Sequence, residues 1–105
     1  MSKAQEDLQL PTLSVDFNEM VESSLVLLSK NDRRIDVMGR EIKLVEGMKL
    51  KIVEEDFDEH GNVDNLVAIG YVELNTTAGW AAHVKWVCRI DSNGIDHESS
   101  FRADE

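Results

Sequence analysis

The chain is short of several things, and each shortage removes a class of protein. It has one cysteine, Cys88, so no internal disulfide braces it. No apolar run reaches the ~18 residues of a membrane span. The opening residues MSKAQEDLQLPTL lack the hydrophobic segment of a secretory signal. These features point to a soluble cytoplasmic protein. Positive charge is also scarce: 11 Lys and Arg stand against 21 Asp and Glu, for a net charge of −10. Residues 55–75 contain no Lys or Arg at all. A nucleic-acid binder needs a basic footprint to displace counterions from phosphates, and an anionic membrane surface needs a polybasic segment. Neither partner is expected.

Chemical motifs are missing too. There is no serine-nucleophile motif, no phosphate-binding glycine loop and no pair of carboxylates on a recognisable scaffold. The three histidines, His60, His83 and His97, have no close His or Cys neighbour in sequence, so a zinc site is not expected. Cys88 falls on an apolar strand face beside Trp86, where a thiol is inert. The sequence therefore names no catalytic residue, no cofactor and no enzyme class.

What remains is one small globular domain. The 105 residues are 42% apolar and 30% charged, a folding composition. Residues 1–13 are polar, aperiodic and hold the only proline, Pro11, and read as a disordered N-terminal arm. Residues 14–105 form the domain. In residues 14–30, Asp16 and Glu19 fit the two places of a capping box, and Phe17, Met20 and Val21 follow at helical spacing. The run Leu25-Val26-Leu27-Leu28 instead reads as a buried strand. The expectation is a short helix over 16–23 and a strand over 25–29.

Beyond residue 34 the period shifts to two. Met48, Leu50 and Ile52 alternate with Lys49 and Lys51, as in a half-buried strand. Leu66 to Leu74 is apolar on both faces, which marks a central strand, and Gly70 within it marks a close approach by a neighbour. Residues 81–90 alternate, with Ala82, Val84, Trp86, Cys88 and Ile90 facing the core and Ala81, His83, Lys85, Val87 and Arg89 on the other face. Asn93-Gly94 is a strong hairpin signal, and it predicts that residues 95–101 pair back on 84–91. Five to six short strands predict a mainly β, antiparallel SH3-like barrel, with an OB-like barrel as the alternative.

The stretch EEDFDEHGNVDN, residues 54–65, has six acidic residues in twelve. A calcium-loop count from Asp56 puts Gly61 in the glycine place, but Val67 falls where a bidentate glutamate is required and His60 where an oxygen ligand is. The EF-hand reading fails. The simpler reading is a hairpin tip that turns at Gly61 and Asn62. A looser divalent site of Asp56, Asp58 and Asp64 stands as the second reading. Trp80, beside Gly79, and Tyr71, on the odd face of the central strand, are candidate aromatic anchors. His83, Lys85 and Arg89 make a basic stripe, expected to pair with Glu73, Asp96 or Glu98 across strands.

The leading expectation is a non-enzymatic protein-binding or accessory domain, a monomer or homodimer. It docks on a partner protein, basic in character, through Asp56, Asp58 and Glu59 and through Tyr71 and Trp80. The alternatives are the divalent-metal domain and a small-ligand or enzymatic barrel with Trp80, Tyr71 and His83 around one mouth.

Overall fold

A computed structural model describes residues 10–101. Among them are nine strands: β1 (Thr12–Ser14), β2 (Met20–Glu22), β3 (Leu25–Ser29), β4 (Arg33–Ile35), β5 (Glu41–Lys43), β6 (Lys49–Glu54), β7 (Leu66–Leu74), β8 (Trp86–Ile90) and β9 (Asp96–His97). Seven form one sheet, in the order β1-β6-β7-β8-β3-β2, with β9 also paired to β7. β4 and β5 make a separate hairpin. The fold is mainly β, as the alternation requires, but three expectations need correction.

The sheet is mixed and open. β1 runs parallel to β6, and the end strands β1 and β2 are not paired with each other, so no closed barrel, SH3-like or OB-like, forms among the described residues. The edge of β1 is covered instead by the β4–β5 hairpin. The Val37 N–H donates to the Thr12 carbonyl, and Arg34 Nη2 donates to that of Ser14. Thr12 and Leu13 thus belong to the sheet, with Leu13 fully buried, while residues 1–9 of the expected arm lie outside the described residues.

The helix over 16–23 does not form. Asp16 takes the Asn18 N–H on its side chain and the Glu19 N–H on its carbonyl, which closes one turn. The chain then extends into β2. Met20 packs on one core cluster and Val21 on another, as adjacent strand residues do and helical neighbours on one face do not. A single turn of helix is costly to nucleate, and pairing with β3 offers these residues more burial.

The hairpin after Asn93-Gly94 is also absent. The Gly94 N–H does close a turn on the Asp91 carbonyl. That turn, however, lifts a loop out of the chain without reversing it. β8 pairs with residues 70–74 of β7, and β9 then rejoins the same edge at Leu66 and Val67. One further strand bound shifts. β8 starts at Trp86, because Asn75 Nδ2 donates to the carbonyls of both Ala81 and Val84 and holds the preceding segment in turns. Val84 consequently leaves the Trp86 face and joins Ala81 and Val87, both buried where an outer face was expected, while Ala82, expected in the core, is exposed.

The core has two parts. Leu50, Ile52, Ala68, Val72, Trp86, Cys88, Ile90, Val26 and Leu28 line one face of the sheet, closed over by Leu13 and Leu44. Leu25, Leu27 and Val87 line the opposite face under Ala81 and Val84. β3 is therefore buried on both sides, which accounts for its unbroken apolar run. Each such side chain contributes about 1.5–3 kcal/mol by leaving water. The buried indole of Trp86 keeps its polar atom satisfied: Nε1 donates to Asp32 Oδ1 at 2.9 Å.

Four turns share one device. Asp36, Asp58 and Asp91 each accept the N–H two residues on with Oδ1 and the N–H three residues on with the main-chain oxygen. The third residue on is Gly39, Gly61 or Gly94, with φ of 85°, 83° and 70°. Asp16 makes the same bonds without a glycine. Aspartate at the first place stabilises the turn through its side chain, and glycine at the fourth carries the positive φ.

At Gly70 the space beside β8 leaves no room for a side chain. A Cβ built there would lie 2.5 Å from the Arg89 carbonyl oxygen and 2.5 Å from Cys88 Sγ. Gly70→Ala is expected to destabilise the fold by about 1–3 kcal/mol in urea denaturation, as overpacking does. Cys88→Ala recovers part of that cost in a double-mutant cycle, and the rest persists because the Arg89 carbonyl stays. A Gly70→Ala chain as stable as the parent contradicts the close approach.

Candidate docking surfaces

β6 and β7 are joined by the acidic stretch, and it is a hairpin. The Asp58 N–H donates to the Asn62 carbonyl and the Asp64 N–H to the Asp56 carbonyl. These bonds flank the bridged pair Phe57 and Val63, which is therefore a non-hydrogen-bonded pair with its side chains close together. Both are exposed, Phe57 at 52% and Val63 at 64%. The tip turns on Asp58, whose Oδ1 takes the His60 and Asn62 N–H groups at 2.8 and 2.9 Å. Those backbone donors, Asn62 first, hold the Asp58 carboxyl below its ordinary range.

The three carboxylates of the divalent reading have separate protein partners. Asp58 serves its own turn. Asp56 Oδ2 meets His97 Nε2 at 3.0 Å, and this bond, followed by the Phe57 N–H, lowers its pKa. Asp64 accepts the Ser99 N–H at 3.0 Å and the Ser99 hydroxyl at 2.8 Å. With the Glu98 N–H on the Asn65 carbonyl, these bonds strap β9 and the turn after it to the base of the hairpin. Among the described residues, no three His, Cys, Asp or Glu side chains are grouped as metal ligands. Glu55 and Glu59 stay exposed, with Glu59 3.9 Å from the His60 ring.

The aromatic anchors sit elsewhere. Tyr71 lies mid-β7 in a cross-strand row with Lys49, Arg89 and Leu25, and is partly exposed. Trp80, 62% exposed, lies in the turn Gly79–Ala81 beyond the Leu74 end of β7, whereas the hairpin leaves its Leu66 end. Nine extended residues place those ends roughly 25 Å apart. The structure thus separates Trp80 from Asp56, Asp58 and Glu59. The odd face of β7 is less open than its sequence suggests, since Val67 and Ile69 are buried.

The basic stripe is largely committed. Arg89 reaches Glu22 at 3.0 Å and Glu73 at 3.3 Å. Lys85 reaches Asp32 at 2.7 Å and lies over the Trp86 ring. His83 is exposed. Burial pushes the Cys88 thiol up to about 12, aided by the charges of Glu73 and Asp91, so it stays protonated.

A second surface escaped the sequence reading. The β4–β5 hairpin exposes Ile35, Val37 and Met38, the last at 76%. Between them Asp36 is only 4% exposed. Its carboxylate accepts the Met38 and Arg40 N–H groups at 3.0 and 2.9 Å, and Arg40 Nε and Nη2 at 3.0 and 2.8 Å. A charged anchor therefore folds an apolar tip. The signal was present in Asp36-Val37-Met38-Gly39, the same pattern as the acidic turn. Phe57 and Val63 were likewise legible, because a hairpin centred on His60 sets them opposite each other.

The Arg40 side chain, then the Arg40 and Met38 N–H groups, lower the Asp36 pKa. A lowered carboxylate stabilises the fold above its ordinary range, near pH 4, and loses that contribution as pH falls through the lowered value. Asp36→Asn is expected to melt several degrees lower at pH 7, and the two melting curves to converge below pH about 4. A gap of constant size down to pH about 2.5 contradicts this assignment. Comparison of the chain with protein-family models, with curated proteins and with solved structures gave no match.

Proposed function

We propose that this chain is a non-enzymatic docking domain whose acidic hairpin engages a protein partner rich in basic residues. The observation that carries the reading is the Phe57–Val63 pair. Two large apolar side chains stand exposed and adjacent on a stem that has five acidic residues between 55 and 64 and no lysine or arginine. An apolar centre ringed by charge of one sign is the usual anatomy of a binding hot spot with its rim. The apolar pair supplies affinity by leaving water, and the carboxylates supply steering and selectivity.

The exposed carboxylates of this surface are Glu55 and Glu59. Asp56, Asp58 and Asp64 act through the hairpin, as the groups that hold its tip and its base in place. This division weakens the divalent-cation reading, which needs those three carboxylates to turn toward one point. The small-ligand reading was drawn around the mouth of a barrel, and the described residues form an open sheet instead.

The test is capture of a basic partner on immobilised protein. Phe57→Ser with Val63→Ser is expected to weaken capture roughly tenfold or more, the scale of an interface hot spot. Glu55→Gln with Glu59→Gln is expected to slow association and flatten its dependence on salt, with a smaller effect on dissociation. Capture that survives both pairs of substitutions, in chains with unchanged circular dichroism, rejects the hairpin as the contact.

A further inference from the structure

We propose that copies of this chain associate head to tail, with the β4–β5 finger of one seated on the acidic hairpin of the next. The inference rests on the reading of that hairpin as a docking surface and names a second copy as an occupant. Three observations carry it.

The finger is a built apolar tip. Ile35, Val37 and Met38 are exposed, while the turn beneath them is fixed by the four bonds to Asp36 and by the Asp36 N–H on the Arg40 carbonyl at 2.8 Å. The Val37 N–H ties the turn to the Thr12 carbonyl, and Arg34 ties β4 to the carbonyls of Leu28 and Ser14. An ordered tip gives up little conformational freedom on binding, so more of its apolar burial appears as affinity.

The two hairpins are opposite in charge. Residues 33–43 hold four basic and two acidic side chains; Arg33 pairs with Glu41 and Arg40 with Asp36, which leaves a net charge of +2 from Arg34 and Lys43, whereas residues 55–64 hold five acidic and no Lys or Arg. In a chain of net charge −10, the finger is a local cationic exception. The surface that complements it is apolar and acidic, and the chain carries such a surface at Phe57 and Val63. Long-range repulsion between two acidic copies is screened beyond about 8 Å at physiological salt, which leaves the local attraction between hairpins.

The partners cannot be one molecule. Val37, Met38, Phe57 and Val63 are all exposed within a single copy, so its finger does not rest on its own hairpin. A contact between unlike surfaces leaves one of each free on every dimer, and it propagates into a ring or an open chain.

Sedimentation velocity of the full chain at about 0.15 M salt tests this. The wild type is expected to grow beyond a dimer as concentration rises. Met38→Glu alone, and Phe57→Ser with Val63→Ser, are each expected to weaken self-association about tenfold or more. An equimolar mixture of the two variant chains is expected to stop at a one-to-one dimer, joined by the finger of the second and the hairpin of the first. Val37→Ser with Met38→Ser replaces the charged variant if circular dichroism shows misfolding. A wild type that stays monomeric at every concentration overturns the proposal, as does a Met38→Glu chain that associates like the parent. A finger that binds phosphatidylserine vesicles while the chain stays monomeric overturns it too. If capture of a basic partner still depends on Phe57 in that case, the docking reading stands and only self-association fails.

Discussion

Between Gly70 and the main chain of Arg89 there is no room for a Cβ, and the course of β7 past β8 depends on that gap. β7 meets β6 along one edge over six residue pairs, and on its other edge it meets first β8 and then β9. Both core clusters follow from this arrangement. Ala68 and Val72 of β7 point into the larger cluster, and the strands around it carry Leu50, Ile52, Trp86 and Cys88 to the same side. A bulkier residue at position 70 pushes β8 away and takes Cys88, Trp86 and the β3 strand with it. Hydrophobic burial supplies most of the stabilisation, and the close approach decides which side chains share it.

Acidic residues have a different task from the one their number suggests. Four aspartates, at 16, 36, 58 and 91, organise turns through their own side chains. Asp32 satisfies the buried Trp86 indole, while Asp56 and Asp64 tie β9 and the following turn to the acidic hairpin. Much of the negative charge is therefore consumed in shaping the backbone. The glutamates left over, Glu55 and Glu59 among them, face solvent and give the hairpin its field. The same turn device holds an apolar tip on β4–β5 and a charged tip on β6–β7, so one local chemistry presents two unlike surfaces.

How far the sequence reveals this varies by element. β6 and β7 were legible almost to the residue, because alternation and a double-faced apolar run leave one register that buries the right side. Gly70 was legible as a close approach. The acidic stretch was legible as a hairpin, but its turn runs from Asp58 to Gly61: Gly61 takes the positive φ and Asn62 does not. Asp16 and Glu19 misled, because the bonds that begin a helix also close a lone turn, and only the tertiary pairing of β2 with β3 decides between them. Asn93-Gly94 misled in a related way: the turn forms, but β3 and β7 occupy both edges of β8, so β9 pairs with the remaining stretch of β7. That competition is settled across many residues of sequence separation, where no local pattern reports it. The His97–Asp56 bond was hidden for the same reason.

Backbone dipolar contacts in the amide region of a nuclear magnetic resonance spectrum test the central placement most directly. Contacts are expected between Leu66 and His97 and between Val67 and Asp96, beside those joining Gly70 to Ile90. Contacts running instead from residues 95–101 to residues 84–91 would show β8 and β9 paired with each other, and the strap on the acidic hairpin would be lost with that result.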